Sequence, residues 1–354
     1  MNHKKGWGVT ALVVAFVLVA GGLLIRLVIY PGQLQFPDDV DVTRNYEGEL
    51  AVMMNPAALE TGDLANLFLT DVPVTLARTV RTLEVGGDGD AIVLEAASMA
   101  GPTGPLATTE DVYAIDRKTM EAVANFSDDD RVISRQGLVI GWPIDTAQED
   151  YVGWNGDTLA TVPLVYDGEE QRGGIDTYRF TAAGEPALIV DPAMLATLPP
   201  ALPKALLGQL GATLGLSDEQ AAQFGQLLEV MPDPVPIAYT YGFDKTYWVE
   251  PTTGVLIDVD VSETRAAVIQ ADGSIVPLAA IQQLHYVNTD ASVQDAVDDA
   301  NGATSLMLTF GVVVPLGAIV LGLVLGAVGI WLLRKRSDGM PVETTAPQRE
   351  LQNV

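Results

Sequence analysis

The chain has 354 residues, 48% of them hydrophobic and 18% charged, with no cysteine and a formal net charge of −27. So acidic a chain lacks the basic footprint that nucleic acid needs and is repelled by anionic headgroups; without cysteine it has no disulfide or thiolate chemistry. The charge is also unevenly placed. Between Pro31 and Thr304 there are 43 acidic against 12 basic residues, whereas the two ends together are net basic. The middle and the ends therefore answer to different surroundings.

In chain order, Lys4 and Lys5 precede an uncharged run from Val9 to Ile25, which Arg26 and Leu27–Tyr30 extend. This predicts a transmembrane helix over 9–30, long enough for a bilayer core of roughly 30 Å. A cleaved leader would carry a shorter apolar stretch closed by a small-x-small site. Here the run continues past Ala20-Gly21-Gly22 into Leu23-Leu24-Ile25, so an uncleaved anchor is expected.

The segment 31–304 reads as short strands separated by turns. Arg78–Val85 and Ala91–Ala96 flank Gly86-Gly87-Asp88-Gly89-Asp90, a hairpin signal. Further strands are expected at Asp111–Asp116, Leu159–Tyr166, Gly174–Thr181, Ala187–Val190, Ile237–Tyr241, Tyr247–Val249, Gly254–Val261, Arg265–Gln270 and Leu284–Val287, with Asp167-Gly168 as a turn. Between the two sets lies a helical insert at about 193–231, with a capping box from Ser217 to Gln220 and a stop at Pro232-Asp233-Pro234-Val235-Pro236. Its apolar residues Leu206, Leu207, Leu210, Leu214, Phe224, Leu227 and Leu228 form the candidate ligand or lid surface. Such a face either covers the sheet, serves as a glycine-loosened lid over a lipid-sized pocket, or dips toward a membrane. Ser292–Ala300 is expected to be a polar stalk whose aspartates keep it solvated.

Leu306–Leu333 has no charge and is closed by Arg334-Lys335-Arg336, a stop-transfer pattern that predicts a second transmembrane helix over 305–333. Gly322 and Gly326 form a G-x-x-x-G pair, able to pack on the first helix or to join another copy as an oligomer. Basic residues outside both spans place both termini in the cytoplasm and the middle outside the plasma membrane. The expected fold is α+β: a mainly antiparallel β extracytoplasmic domain with a helical insert, flanked by two transmembrane helices.

No catalytic, cofactor or metal site emerges. The two histidines are His3 and His285, and no G-x-S-x-G, Walker A or G-x-G-x-x-G run occurs in the right setting. Asp38-Asp39-x-Asp41 and Asp128-Asp129-Asp130 could offer oxygens to calcium, but neither has EF-hand spacing.

Two stretches carry a family resemblance. One runs Trp142-Pro143-Ile144-Asp145, Tyr151-x-x-Trp154-Asn155, Val165-Tyr166-Asp167-Gly168-Glu169 and Gly174-Ile175-Asp176-Thr177-Tyr178-Arg179-Phe180; the other is Tyr247-Trp248-Val249-Glu250-Pro251-Thr252-Thr253-Gly254-Val255-Leu256-Ile257-Asp258. With the two-helix layout they resemble actinobacterial envelope proteins of the PorA-type porin family. The resemblance implies a role in the cell envelope, with glycolipid handling among the expectations, and transfers no catalytic residue. The expected function is a membrane-anchored, non-catalytic domain that binds or helps move an envelope (glyco)lipid, or docks another membrane protein. The alternatives are an oligomeric pore component and a carboxylate-dependent envelope hydrolase.

Overall fold

The computed structural model describes residues 3–87, 89–211, 218–271 and 274–334. It divides into two units, Met1–Leu34 with Thr304–Val354, and Gln35–Ala303.

In the first unit, helix α1 (His3–Leu24) passes through a π-turn, Ile25–Ile29, into the short α2 (Tyr30–Gln33). On the C-terminal side, helix α7 (Asp290–Leu308), whose residues up to Ala303 belong to the second unit, passes through a π-turn, Thr309–Val313, into α8 (Val314–Arg334). Both runs are long and apolar enough to cross a membrane. They pack on small residues, because close backbone approach replaces the hydrophobic drive that lipid does not supply. A side chain at Gly322 would strike the Ala15 carbonyl and the Val19 side chain, each 2.8 Å from its Cβ position. One at Gly311 would strike the Tyr30 ring at 2.4 Å. The Gly322 face is thus occupied by the first helix, one of the two partners its spacing allows.

The second unit is built on one antiparallel sheet. Its strands are β1 (Asp41–Met54), β2 (Phe68–Val85), β3 (Asp90–Gly101), β4 (Gly104–Asp116), β5 (Tyr151–Asn155), β6 (Ala160–Arg172), β7 (Ile175–Leu188), β10 (Ala238–Val249), β11 (Leu256–Ala271) and β12 (Ser274–Asn288). The order is β4-β3-β2-β1-β12-β11-β10-β7-β6-β5, so the first and last strands lie side by side in the middle. The α+β expectation therefore holds, but the strands are longer than the sequence suggests, because several expected runs merge into one. Ile237–Tyr241 and Tyr247–Val249 belong to one strand, as do Gly254–Val261 and Arg265–Gln270. The expected Asp167-Gly168 turn is instead a bulge, where the β6–β7 register slips between Tyr166 and Glu169. The chain reverses at Gly173-Gly174, where two successive positive φ values, 60° and 85°, suit glycine.

The sheet's edges, β4 and β5, are covered by the 117–150 linker. Val123 N–H donates to Ala114 C=O of β4 at 2.8 Å, and Ala122 N–H to Gly137 C=O at 2.8 Å. Leu138 N–H donates to Val152 C=O of β5 at 2.7 Å, and its own carbonyl accepts from Trp154 N–H at 3.0 Å. These bridges cover part of each edge and link the two ends of the sheet through the linker.

Beyond the short α3 (Pro56–Thr61) between β1 and β2, the helical insert consists of α4 (Pro192–Leu195), α5 (Lys204–Gly211) and α6 (Asp218–Val230), pinned at its base by a ribbon of β8 (Ala201–Leu202) and β9 (Val235–Pro236). The expected cap at Ser217 lies outside the described residues. The stalk reading of Ser292–Ala300 needs correction. Ser292, Ala296, Val297 and Ala300 are buried, three of them around Ile257. Asp299 pairs with Arg44 at 2.5 Å rather than only facing solvent. An i, i+4 spacing of small and branched residues at 292, 296, 297 and 300 was the signal for that buried stripe.

A polar cavity inside the curled sheet

Alternate residues of a strand share one face, and in this sheet the inner face sets charged and phenolic side chains among apolar ones. It lines a partly open cavity of about 350 Å³ to which all ten strands and the linker residues 138–142 contribute. On β10, Tyr241, Phe243, Lys245 and Tyr247 point inward in sequence; on β11, Val259, Val261 and Glu263 do so.

Each charged side chain that lines the cavity is paired with an opposite charge. Lys245 Nζ lies 2.8 Å from Glu263, and Arg265 grips Asp157 with Nε at 3.1 Å and Nη2 at 2.9 Å. Arg78 pairs with Glu95 and also donates to the Ile140 carbonyl at 3.2 Å. Tyr241 donates its hydroxyl to Glu263 at 2.7 Å, while the Arg265 guanidinium lies 4.9 Å over the Tyr241 ring. Burial alone would raise the Glu263 carboxyl, but Lys245 and Arg265 pull it down to about 2. Burial would likewise depress Lys245, yet Glu263 holds its ammonium well above the usual lysine range. Burial, reinforced by Glu263 and Glu95 respectively, keeps the Tyr286 and Tyr113 phenols above their ordinary value and hence neutral.

Aromatic rings form the rest of the wall. Trp142 sits 5.0 Å from Tyr247 and 5.5 Å from Phe180, and Tyr46 meets Tyr286 edge-on at 5.5 Å. Tyr286 reaches that place because its partner across the β1–β12 seam is Gly48. A Cβ at Gly48 would lie 2.2 Å from the His285 carbonyl.

The residues nominated from sequence gather elsewhere. Leu207, Leu210, Phe224, Leu227 and Leu228 pack with Ile237, Tyr239, Ile269 and Ile281 in a second cluster. Leu206 is half-buried, and Leu214 lies outside the described residues. The gap beneath this face is about 40 Å³, roughly one-ninth of the polar cavity. Tyr241 and Phe243 take part in both the cavity wall and this apolar cluster. His285 faces outward and pairs with Asp260 at 3.0 Å, both about half exposed. Asp41 pairs with Arg81 at 3.2 Å and Asp129 with Arg131 at 2.7 Å. Among the described residues no group of three or more His, Asp or Glu is placed to hold a metal.

Comparison with protein families gives one decisive match, to Porin PorA over residues 7–331. The chain belongs to the PorA porin family. Most of both apolar helices and the whole curled sheet of this PorA-family chain fall within the match. No curated protein matches it. Among solved structures it is similar to an N-terminal dehydratase from the difficidin assembly line, at 9% identity over 79% of this chain and 89% of that one. The TM-score there is 0.11, so the likeness carries no argument about fold or activity.

Proposed function

We propose that this PorA-family membrane protein is a two-pass receptor whose extracytoplasmic domain holds the polar head of an envelope lipid inside the curled sheet, without catalysis. The observation that carries the reading is the cavity, about 350 Å³ and walled by every strand of the main sheet. Concave sites of this size hold small ligands. The apolar face of the insert adjoins it through Tyr241 and Phe243, which suits a ligand with a polar head and an apolar remainder. A general acid or base works best with a pKa near the working pH. Glu263 lies far below that, and Asp157 and Glu95 are each committed to an arginine, which favours binding over hydrolysis. Lys4, Lys5 and the Arg334-Lys335-Arg336 cluster support cytoplasmic tails.

The family name favours a pore as the second reading. Against a barrel embedded in lipid, Asp41, Thr43, Asn45, Glu47 and Glu49 stand exposed along β1, where a lipid-facing strand would be apolar. Against a pore lined by the spans, their cores carry aliphatic side chains such as Val13, Val17, Leu321 and Val324.

The reading is tested by filling the cavity. Ala97 and Val162 line it from different strands. Ala97→Phe and Val162→Trp are each expected to cut the occupancy of molecules that travel with the full chain out of its own membranes by about tenfold or more. Native mass spectrometry reads the occupancy, and circular dichroism confirms the fold. Unchanged occupancy in both folded variants sinks the receptor.

A further inference from the structure

Resting on that receptor reading, we infer that the head bound in the cavity is uncharged and rich in hydroxyl groups, a saccharide or polyol rather than a phosphate, carboxylate or ammonium. The charges lining the cavity, and Arg265 beside the lining Asp157, decide this. Arg78, Lys245 and Arg265 each face a carboxylate, from Glu95, Glu263 and Asp157 respectively, so no unmatched charge of either sign remains among these six. An anionic head would have to draw a base away from its carboxylate and leave a buried charge uncompensated, which is strongly unfavourable. A cationic head meets the mirror-image difficulty. An acyl chain in the same place would desolvate the paired groups and return no hydrogen bond.

Hydroxyl groups fit where those ligands do not. Paired side chains keep spare capacity, since a guanidinium has five N–H donors and a carboxylate about four acceptor positions. The hydroxyl-bearing rings of Tyr113, Tyr247 and Tyr286 also line the cavity, and burial raises each phenol above its ordinary value and keeps it neutral. Each can donate and accept at once, which is the capacity of a sugar hydroxyl. The Trp142 and Tyr247 rings, 5.0 Å apart, offer apolar faces against which the C–H face of a pyranose can pack.

The test compares what is released from the unmodified full chain and from Ala97→Phe, both purified from the same native membranes and then unfolded. Mass spectrometry of the released material identifies the head. A glycosyl or polyol head without ionised groups, present in the first sample and depleted in the second, is the expected result. A depleted molecule whose head carries phosphate, carboxylate or ammonium overturns the inference and leaves the receptor reading standing. No depletion of any molecule removes both. Tyr247→Phe and Tyr286→Phe, each deleting one hydroxyl, are expected to lower occupancy about three- to tenfold. Unchanged occupancy in both would count against hydroxyl recognition.

Discussion

Glu263→Gln is expected to lower the stability of the domain by about 3–5 kcal/mol, the cost of removing one partner from a buried ion pair. Lys245 lies 2.8 Å from Glu263 with its ammonium held charged, and Arg265 approaches the same carboxylate at 3.8 Å. The amide leaves both cations short of counter-charge inside the wall. Pairing Glu263→Gln with Lys245→Met is expected to restore much of the loss, because the uncompensated ammonium goes too. Chemical unfolding of the full chain at neutral pH, followed by tryptophan fluorescence, measures both. A Glu263→Gln midpoint equal to that of the unmodified chain would show that this carboxylate does not balance Lys245.

The same group sets an acid limit. Its carboxyl is about 2 in the folded chain against an ordinary 4.5, so the folded state favours the ionised form. The corresponding stability is fully present above pH 4.5 and is lost as the pH falls from there through about 2. It amounts to about 3 kcal/mol. Glu263→Gln is expected to flatten that part of the acid-unfolding curve.

Gly48→Val is expected to cost about 3 kcal/mol, at the upper end of what overpacking does. The added Cβ meets the His285 carbonyl at 2.2 Å and the Tyr286 Cβ at 2.7 Å, both rigidly held in the adjacent strand. The β1–β12 seam must open to admit it, and Tyr286 leaves its place against Tyr46. Thermal unfolding of the full chain checks this, with Gly208→Ala as the contrast. Gly208 lies in α5 with no atom within 4 Å of its Cβ position, so alanine there is expected to stabilise by about 0.5–1 kcal/mol. A Gly48→Val chain that melts with the unmodified one would contradict the close approach at the seam.

The membrane spans were legible because one signal suffices: 28 residues from Leu306 without a charge have few soluble uses. The insert was legible from prolines and leucines at helical spacing. Strand β1 was not. Its outward Asp41, Thr43, Asn45, Glu47 and Glu49 dilute the hydrophobic signal, and inward Arg44 and Gly48 interrupt the other half. The cavity was hidden for a related reason. Its ion pairs join residues 17, 18 and 108 positions apart, and only the strand register brings them together. One local clue was present. Tyr241-x-Phe243-x-Lys245-x-Tyr247 and Val259-x-Val261-x-Glu263-x-Arg265 each place a charge on the face that alternation marks as internal. Charges in phase with aromatic and β-branched residues signal a lined interior rather than a solvated edge.

The seam between β1 and β12 also governs when the domain can be finished. Tyr46 pairs with Asn288, so the first strand to leave the ribosome waits for the last before the centre of the sheet exists. Closing a flexible loop of that length costs about 5 kcal/mol in chain entropy, and such distant pairings make folding slow. Until then, the β1 and β12 backbones each present an unpaired edge. The two apolar helices at the chain's ends pack against each other. Their association tethers those strands and raises the effective concentration at which they meet. The paired helices thus act as a folding clamp, and a chain stripped of them is expected to regain the sheet more slowly, with its central edges open to aggregation in the interval.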